Sequence, residues 1–156
     1  MNMRMKRLLI SVVFLLCGLT TGTALAAGQN QVDPDITSGK AARKFINARA
    51  LWQAKHIRNY RMTITASCFC AGPPTAKVTV RNGKPVRVSA KPWYWPRSVT
   101  GLFGVVAKAI VDEAASLDVR YSARLGYPKR ISIDSIAMAV DDEITYRVTG
   151  FKRLGS

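Results

Sequence analysis

Two segments of the chain repeat apolar residues every three or four positions, which is the spacing of an amphipathic helix. The first spans residues 38–57, with Ser38 as its expected N-cap, and its apolar positions are Ala41, Phe45, Ala48 and Trp52. The second spans residues 99–117, and its apolar stripe is Leu102, Phe103, Val106, Ile110, Ala114 and Leu117. We therefore predict two helices that each pack one face onto a core.

Elsewhere the apolar period is two, which predicts half-buried β-strands. The strand that begins at Tyr60 directs these residues inward: Tyr60, Met62, Ile64, Ala66, Cys68 and Cys70. An Asn82-Gly83 turn between alternating segments predicts a hairpin, with Val78, Val80, Val86 and Val88 inward. Three further short strands are predicted near residues 119–124, 130–134 and 144–149.

The order of these elements is α-β-β-β-α-β-β-β. Short strands joined by tight turns favour antiparallel pairing, and helices with one apolar face pack on one side of such a sheet. We predict a single α+β two-layer domain over residues 38–156, with an antiparallel sheet of about six strands and two helices on one face.

The N-terminus is typical of a secretory signal peptide. Basic residues precede an apolar segment of 12 residues, Leu8 to Leu19, and small residues follow up to Ala26. We expect cleavage there, a flexible leader over residues 27–37, no membrane-spanning segment in the mature chain, and a periplasmic or secreted location. Lipid attachment at Cys17 is the alternative, but Leu16 is larger than the residue that such a signal needs.

Charge is the most unusual bulk property. The chain has 24 Lys and Arg against 9 Asp and Glu, a formal net charge of +15. No acidic residue occurs between Ile36 and Val111, where there are 14 Lys and Arg. Such a field attracts anions, and in an exported chain it favours an anionic envelope component or a protein partner over cytoplasmic nucleic acid.

The predicted strands and the loop after them place several of these cations on one candidate binding surface. Strand alternation puts four basic residues on the solvent face of the sheet, and the segment "KPWYWPRS" adds two cations and three aromatic rings. Exposed rings beside cations can stack on a ligand; alternatively, the tryptophans cover an edge of the core. The candidate surface consists of Arg61, Lys77, Arg81, Arg87, Lys91, Trp93, Tyr94, Trp95 and Arg97.

Cys68 and Cys70 form the only cysteine pair expected in the mature chain. Residues two apart in a regular strand have Cα atoms about 6.6 Å apart, near the upper limit for a disulfide, so a bridge requires a bend at Phe69. Four interpretations stay open: a disulfide, buried thiols, half of a soft-metal site and a redox pair.

Signals for enzymatic chemistry are weak. His56 is the only histidine, and the sequence has no nucleophile elbow, phosphate loop or nucleotide fingerprint. Asp141 to Glu143 lack the ligand spacing of a calcium loop. We expect no catalytic residue, no cofactor and no metal.

Four segments resemble a family of exported bacterial proteins and lipoproteins of unknown function, DUF6174. They are "NYRMTITASCFC", "AKVTVRNGKPVRV", "LGYPKRISID" and "DDEITYRV", and the resemblance covers about residues 50–151. The matching positions are Tyr60, Cys68, Phe69, Cys70, Gly83, Phe103, Tyr121, Gly126, Tyr127, Pro128, Asp134, Asp142 and Glu143. The chain has Thr100 and Ser122 where the family tends to have acids, so a ligand role for those carboxylates is not expected here. The resemblance implies export and a common fold, but no activity.

Three hypotheses follow for the function. The first is a non-enzymatic binding or envelope-associated module that meets an anionic partner through its basic face. The second is a thiol, disulfide or soft-metal function at Cys68 and Cys70. The third is a structural or inhibitory module that binds another protein.

Overall fold

The protein forms one antiparallel sheet of six strands with its two long helices on one face. This computed structural model describes residues 31–72, 74–137, 139 and 141–155. The strand order is β3-β2-β1-β6-β5-β4, and every neighbouring pair is antiparallel. The elements are α1 (Pro34–Thr37), α2 (Lys40–Ala54), β1 (Tyr60–Ser67), β2 (Thr75–Arg81), β3 (Lys84–Val88), α3 (Val99–Val111), β4 (Ser116–Tyr121), β5 (Pro128–Asp134) and β6 (Ile144–Arg153). The predicted α+β class and the order of its main elements are confirmed.

The predicted signal peptide, residues 1–26, lies outside the described residues, as do Cys17 and the first part of the predicted leader. Among the residues that are described, no helix combines the length and the apolar character needed to cross a bilayer.

The core lies between the helices and one face of the sheet. Tyr60, Met62, Ile64 and Ala66 of β1 are all buried, as their alternation predicts. Leu102, Phe103 and Val106 of α3 pack on this face in the same cluster. The Tyr60 hydroxyl accepts a hydrogen bond of 2.9 Å from the Val99 backbone N–H, and this bond fixes the start of α3 over the central strand.

The helix boundaries differ from the predicted ones in two places. α2 begins after Gly39, which has a φ of +70° and no side chain that could cap the helix, whereas Ser38 ends the preceding turn. α3 ends at Val111, and the chain returns as β4 from Ser116. Leu117 is therefore a buried strand residue, because a positive φ at Glu113 reverses the chain before it.

The described part of the predicted leader is tied to the domain. Asp33 caps α1 by accepting a bond of 2.6 Å from the Asp35 backbone N–H, and its second carboxylate oxygen accepts one of 2.7 Å from the Leu117 N–H. The Asp33 N–H also donates to the Ala114 carbonyl. A helical turn bound to the start of β4 thus stands where the sequence predicted a flexible segment.

The hairpin also departs from strict alternation. Val78 and Val80 are buried as predicted, but Val86 is 60% exposed. The register shifts between Thr79 and Val80, so that Thr79 pairs with Arg87 and Val80 with Pro85. The prediction that Val86 faces the core was wrong because this bulge changes the alternation of β3, an edge strand.

An aromatic cluster joins α2 to the sheet through the turn that precedes β5. Tyr127 stacks on Phe151 of β6 at 4.5 Å between ring centroids, and Phe151 stacks on Tyr60 at 5.3 Å. Trp52 of α2 meets all three rings edge to face. Because offset and edge-to-face pairs add stability beyond area burial, this cluster fixes the helix over the sheet.

Gly126 is what lets the turn approach α2 so closely. Its φ is +83°, and a Cβ at this position would lie 2.3 Å from the Ala48 carbonyl oxygen and 2.7 Å from the Trp52 backbone nitrogen. Both atoms are backbone atoms of α2, which cannot move without displacing the helix. A side chain here would therefore separate the turn from the helix and open the aromatic cluster.

We expect Gly126→Ala to lower the free energy of unfolding by at least about 3 kcal/mol, since it combines an unfavourable φ with a backbone clash. The matched control is Gly104→Ala in α3, where an added Cβ meets nothing within 4 Å. This control should raise stability by about 0.5–1 kcal/mol through helix propensity. Urea titration of both variants tests the contrast, and equal stabilities would contradict the proposed contact.

Burial of tyrosine predicts a specific alkaline response. Burial raises the pKa of Tyr121 to about 12, so the unfolded state loses this proton at lower pH than the folded state does. The Tyr121 contribution to stability is unchanged below about pH 10 and declines as pH rises from there to about pH 12. In Tyr121→Phe, the melting temperature should fall less steeply across this window, whereas Tyr94→Phe, at an exposed ring, should follow the parent protein.

Candidate functional site

The sheet has an outer face, the face opposite the helices, which no other described element covers. Its side chains are mainly hydroxyl-bearing or basic. The Ser132 and Thr145 hydroxyls lie 2.8 Å apart across β5 and β6, and those of Thr65 and Thr75 lie 3.1 Å apart across β1 and β2. These cross-strand contacts order a polar surface that remains open to solvent.

Three of the predicted cations meet on this face. Arg61 of β1 pairs in register with Thr79, which in turn pairs with Arg87 of β3. Lys77 of β2 lies opposite Thr63. Arg61, Lys77 and Arg87 are exposed and line one shallow depression of about 490 Å³. The sequence prediction that these residues share a face is consistent with this arrangement.

A second set of cations forms an arginine row across the other half of the sheet. Arg120 of β4 lies directly opposite Arg130 of β5, and Arg130 lies directly opposite Arg147 of β6. Neighbouring strands are about 4.8 Å apart, so three positive side chains project from about 10 Å of sheet. Like charges placed directly opposite one another destabilise a sheet. The arginine row therefore does not contribute to the stability of strand pairing.

Little in the described residues neutralises this row. The closest carboxylate belongs to Asp118, 3.7 Å from the Arg120 Nε, in an exposed pair that contributes little. The Arg130 Nε is buried and has no hydrogen-bond partner among the described residues. The other ion pairs recorded in the described residues belong to α1, α2 and α3.

Together the two sets form what we call the basic stripe. Lys152 of β6 lies opposite Arg61 on β1 and extends the first set onto β6, where it stands five residues, about 16 Å, from Arg147. Every strand of the sheet thus contributes at least one cation. The stripe extends about 24 Å across five strand spacings, and its two sets are displaced by about 16 Å along β6. Its members are Arg87, Lys77, Arg61, Lys152, Arg147, Arg130 and Arg120.

The remaining predicted cations lie outside the basic stripe. Arg81, at the end of β2, donates a hydrogen bond of 2.6 Å to the Gly155 carbonyl. Arg97 donates to the Trp93 carbonyl at 3.0 Å, so it braces its own loop. Lys91 is exposed in that loop, after β3.

The aromatic loop does not present three rings to solvent. Trp93 is only 5% exposed and belongs to the core, and its indole N–H donates to the Pro96 carbonyl. Trp95 is half-buried against Tyr146. Only Tyr94 is exposed. The proposed stacking surface is corrected accordingly: Trp93 covers the edge of the core, where burial stabilises it more than exposure would.

Cys68 and Cys70 lie beyond the end of β1, which stops at Ser67. Their Cα atoms are 5.3 Å apart, shorter than in a regular strand and within the range of disulfides. Cys68 is half-buried, Cys70 is exposed, and Phe69 between them is 84% exposed. The prediction that both sulfurs face the core was therefore wrong, because the chain bends after Ser67 and the alternation ends there.

Acidic residues gather at the cysteine end of the molecule. Asp141 and Glu143 line a depression of about 570 Å³ together with Cys68 and Phe69. Asp142 accepts a bond of 2.7 Å from the Ile136 N–H. Within the ranges that the structure describes, no three of His, Cys, Asp and Glu cluster as metal ligands.

Several residues that match the family pattern lie in turns or at strand ends. Gly83 supplies a positive φ in the hairpin turn, and its N–H donates to the Arg58 carbonyl. Pro128 is buried at the start of β5, next to Tyr127. Asp134 ends β5 with one buried carboxylate oxygen that has no partner among the described residues. Ser122 accepts a hydrogen bond from the Leu125 N–H and so helps to form the turn that carries Gly126.

The sequence prediction missed four of the seven cations of the basic stripe: Lys152 and the three arginines of the row. Arg120, Arg130 and Arg147 each alternate with apolar residues, and this alternation predicts that their side chains lie on the solvent face of the sheet. The sequence did not predict their alignment, because register between strands that are distant in the chain depends on tertiary pairing.

Comparison with known proteins identifies the family. A search of curated proteins found no match, and a search of solved structures found none. The model of one family matches residues 44–153, a range that includes all six strands of the sheet. This chain therefore belongs to DUF6174, a family of unknown function.

Proposed function

We propose that this protein is an exported, non-enzymatic domain that binds an anionic polymer of the cell envelope through its basic stripe. The observation that carries this proposal is the arginine row, in which Arg120, Arg130 and Arg147 lie directly opposite one another on three adjacent strands. Their mutual repulsion is relieved when phosphate or carboxylate groups lie between them.

The chemistry of arginine supports an oxyanion partner. A guanidinium presents a planar fork of donors that matches phosphate and carboxylate, and it stays charged at any physiological pH. The Nε of Arg130 is buried and has no hydrogen-bond partner among the described residues, so a ligand on the outer face reaches this guanidinium through its terminal nitrogens.

The shape of the stripe favours a linear polymer over a lipid surface. The cations lie on all six strands in two sets displaced along β6, and the positions between them carry hydroxyls, including Thr63, Thr65, Thr79 and Thr149. Surfaces that insert into lipid present apolar and aromatic side chains among the cations. A hydrated chain with repeating negative charges fits this polar band better.

The surroundings of the cysteine pair favour a structural role over a reactive one. Reactive thiolates are activated by neighbouring cations or a helix N-terminus. The depression beside Cys68 contains Asp141 and Glu143, and none of the described residues lining it is basic. We propose that Cys68 and Cys70 form a disulfide that shapes the loop carrying Phe69.

The polymer proposal predicts a salt-dependent affinity. With inorganic polyphosphate as the probe, the logarithm of the binding constant should fall linearly with the logarithm of salt concentration. The triple variant Arg120→Gln, Arg130→Gln, Arg147→Gln should reduce the magnitude of the slope of this line by about 2 to 3. Each lost phosphate contact removes about one released counterion. Isothermal titration calorimetry at several salt concentrations measures both quantities.

A control variant with the same net charge separates the stripe from general attraction. Arg43→Gln, Lys55→Gln, Lys108→Gln removes three exposed cations from the helical side, and its salt dependence should stay close to that of the parent protein. An equal loss of polyphosphate affinity and of salt dependence in both triple variants would contradict a defined binding face. Binding to anionic phospholipid vesicles without binding to polyphosphate would overturn the choice of a polymer.

The disulfide and export proposals predict the mass of protein isolated from its own envelope. Alkylation without reduction should add no label, and alkylation after reduction should add two. The mass should also correspond to a chain that begins near residue 27. Two labels without reduction would show free thiols, and a retained N-terminus would contradict signal cleavage.

A further inference from the structure

A groove runs between α2 and α3, on the opposite side of the sheet from the basic stripe. We call it the helical groove. Its volume is about 580 Å³, which lies within the range of small-molecule sites. The groove is lined by Phe45, Arg49, Trp52, Gln53, His56, Ile57, Arg58, Thr100, Phe103, Gly104 and Ala107.

The floor of the helical groove is aromatic. Phe45 of α2 meets Phe103 of α3 edge to face, with 5.8 Å between the ring centroids. Trp52 lies further along α2 and is anchored in the aromatic cluster below. Phe103 and Trp52 are largely buried and Phe45 is half-buried, so the floor is held by the core. It is a preformed apolar surface for a flat or extended ligand.

The α3 wall is kept low by small residues. Thr100, Gly104 and Ala107 follow one another at helical spacing and line the groove. A Cβ added at Gly104 would meet nothing within 4 Å, so packing within the protein does not require glycine there. Glycine in a helix interior costs about 1 kcal/mol relative to alanine. The open space is therefore retained at a cost in stability.

The fixed charges on the rim are both positive. Arg49 and Arg58 line the groove, and none of its described lining residues is acidic. The Arg49 guanidinium lies 5.9 Å from the centroid of the Phe45 ring, where it can bind an anion at the edge of the aromatic floor. Neither arginine takes part in a recorded ion pair of the described residues. Both walls come from the part of the chain that lacks acidic residues.

We propose that the helical groove binds a small anionic amphiphile, a molecule with an apolar body and one carboxylate, phosphate or sulfonate group. The body lies on the rings of Phe45 and Phe103 and fills the space over Gly104. The anionic group lies at the rim and accepts hydrogen bonds from Arg49 and Arg58. This site is separate from the basic stripe, and its occupant differs because the groove combines apolar floor with cationic rim.

A pair of fluorescent probes tests both requirements. The probe 8-anilinonaphthalene-1-sulfonate has an apolar body and a sulfonate, and N-phenyl-1-naphthylamine has the same body without charge. We expect the sulfonate to bind the folded protein at least about 10-fold more tightly, the effect of one charge-assisted contact. Equal affinities would overturn the requirement for an anion.

Substitution at Gly104 tests the location without disturbing the core. Gly104→Leu should fill the groove and weaken sulfonate binding by at least about 10-fold, while helix propensity keeps the melting temperature equal or higher. Because such probes also bind loosely packed states, near-ultraviolet circular dichroism must confirm native packing. Unchanged binding by a well-packed Gly104→Leu variant would refute the site.

Charge variants test the rim. Arg49→Gln with Arg58→Gln should remove the preference for the sulfonate over the neutral probe, whereas Lys55→Gln, an exposed neighbour that does not line the groove, should preserve it. The stripe variant at Arg120, Arg130 and Arg147 should bind the sulfonate like the parent protein. Loss of binding in that variant would instead assign the probe to the sheet, and the two surfaces can thus fail independently.

Discussion

The approach of the Gly126 turn to the backbone of α2 determines which face of the sheet is covered. With no Cβ at this position, the turn lies against the Ala48 carbonyl and the Trp52 nitrogen, and Tyr127 enters the aromatic cluster beside Trp52 and Phe151. The Tyr60 hydroxyl then fixes the start of α3 over the same face. Both helices therefore pack on one face of the sheet, and the opposite face is exposed to solvent and available to a ligand.

Because both helices pack on one face, the core that they form with the sheet can offset the repulsion within the row of opposed arginines. Each like-charge pair across strands costs a few tenths to about 1 kcal/mol, whereas each large side chain buried on the covered face contributes about 1.5–3 kcal/mol. The core is thus large enough to hold Arg120, Arg130 and Arg147 in alignment. Two surfaces with different chemistry result: a flat, hydroxyl-rich and basic sheet face, and an aromatic groove with a basic rim between the helices.

Local patterns predicted much of this structure, and tertiary contacts decided the rest. The period-two burial of β1 and the Asn-Gly turn were readable because they depend on neighbours in sequence. The bulge that exposes Val86 and the alignment of the arginine row depend on pairing between strands. The burial of Trp93 depends on the tertiary position of its loop, which places the ring over an edge of the core. The sequence showed that Arg61, Lys77 and Arg87 share a face, but only the strand order connects them to β4, β5 and β6.

The most direct test of the account is to observe which guanidinium groups meet a polyanion. In a nuclear magnetic resonance titration of folded protein with short polyphosphate, the Nε–Hε signals of Arg120, Arg130 and Arg147 should shift together and saturably. The signal of Arg43, which is exposed on α2, should stay unchanged. Shifts of equal size at Arg43 and at the arginine row would contradict a specific binding face, and shifts confined to the helical side would place the site elsewhere.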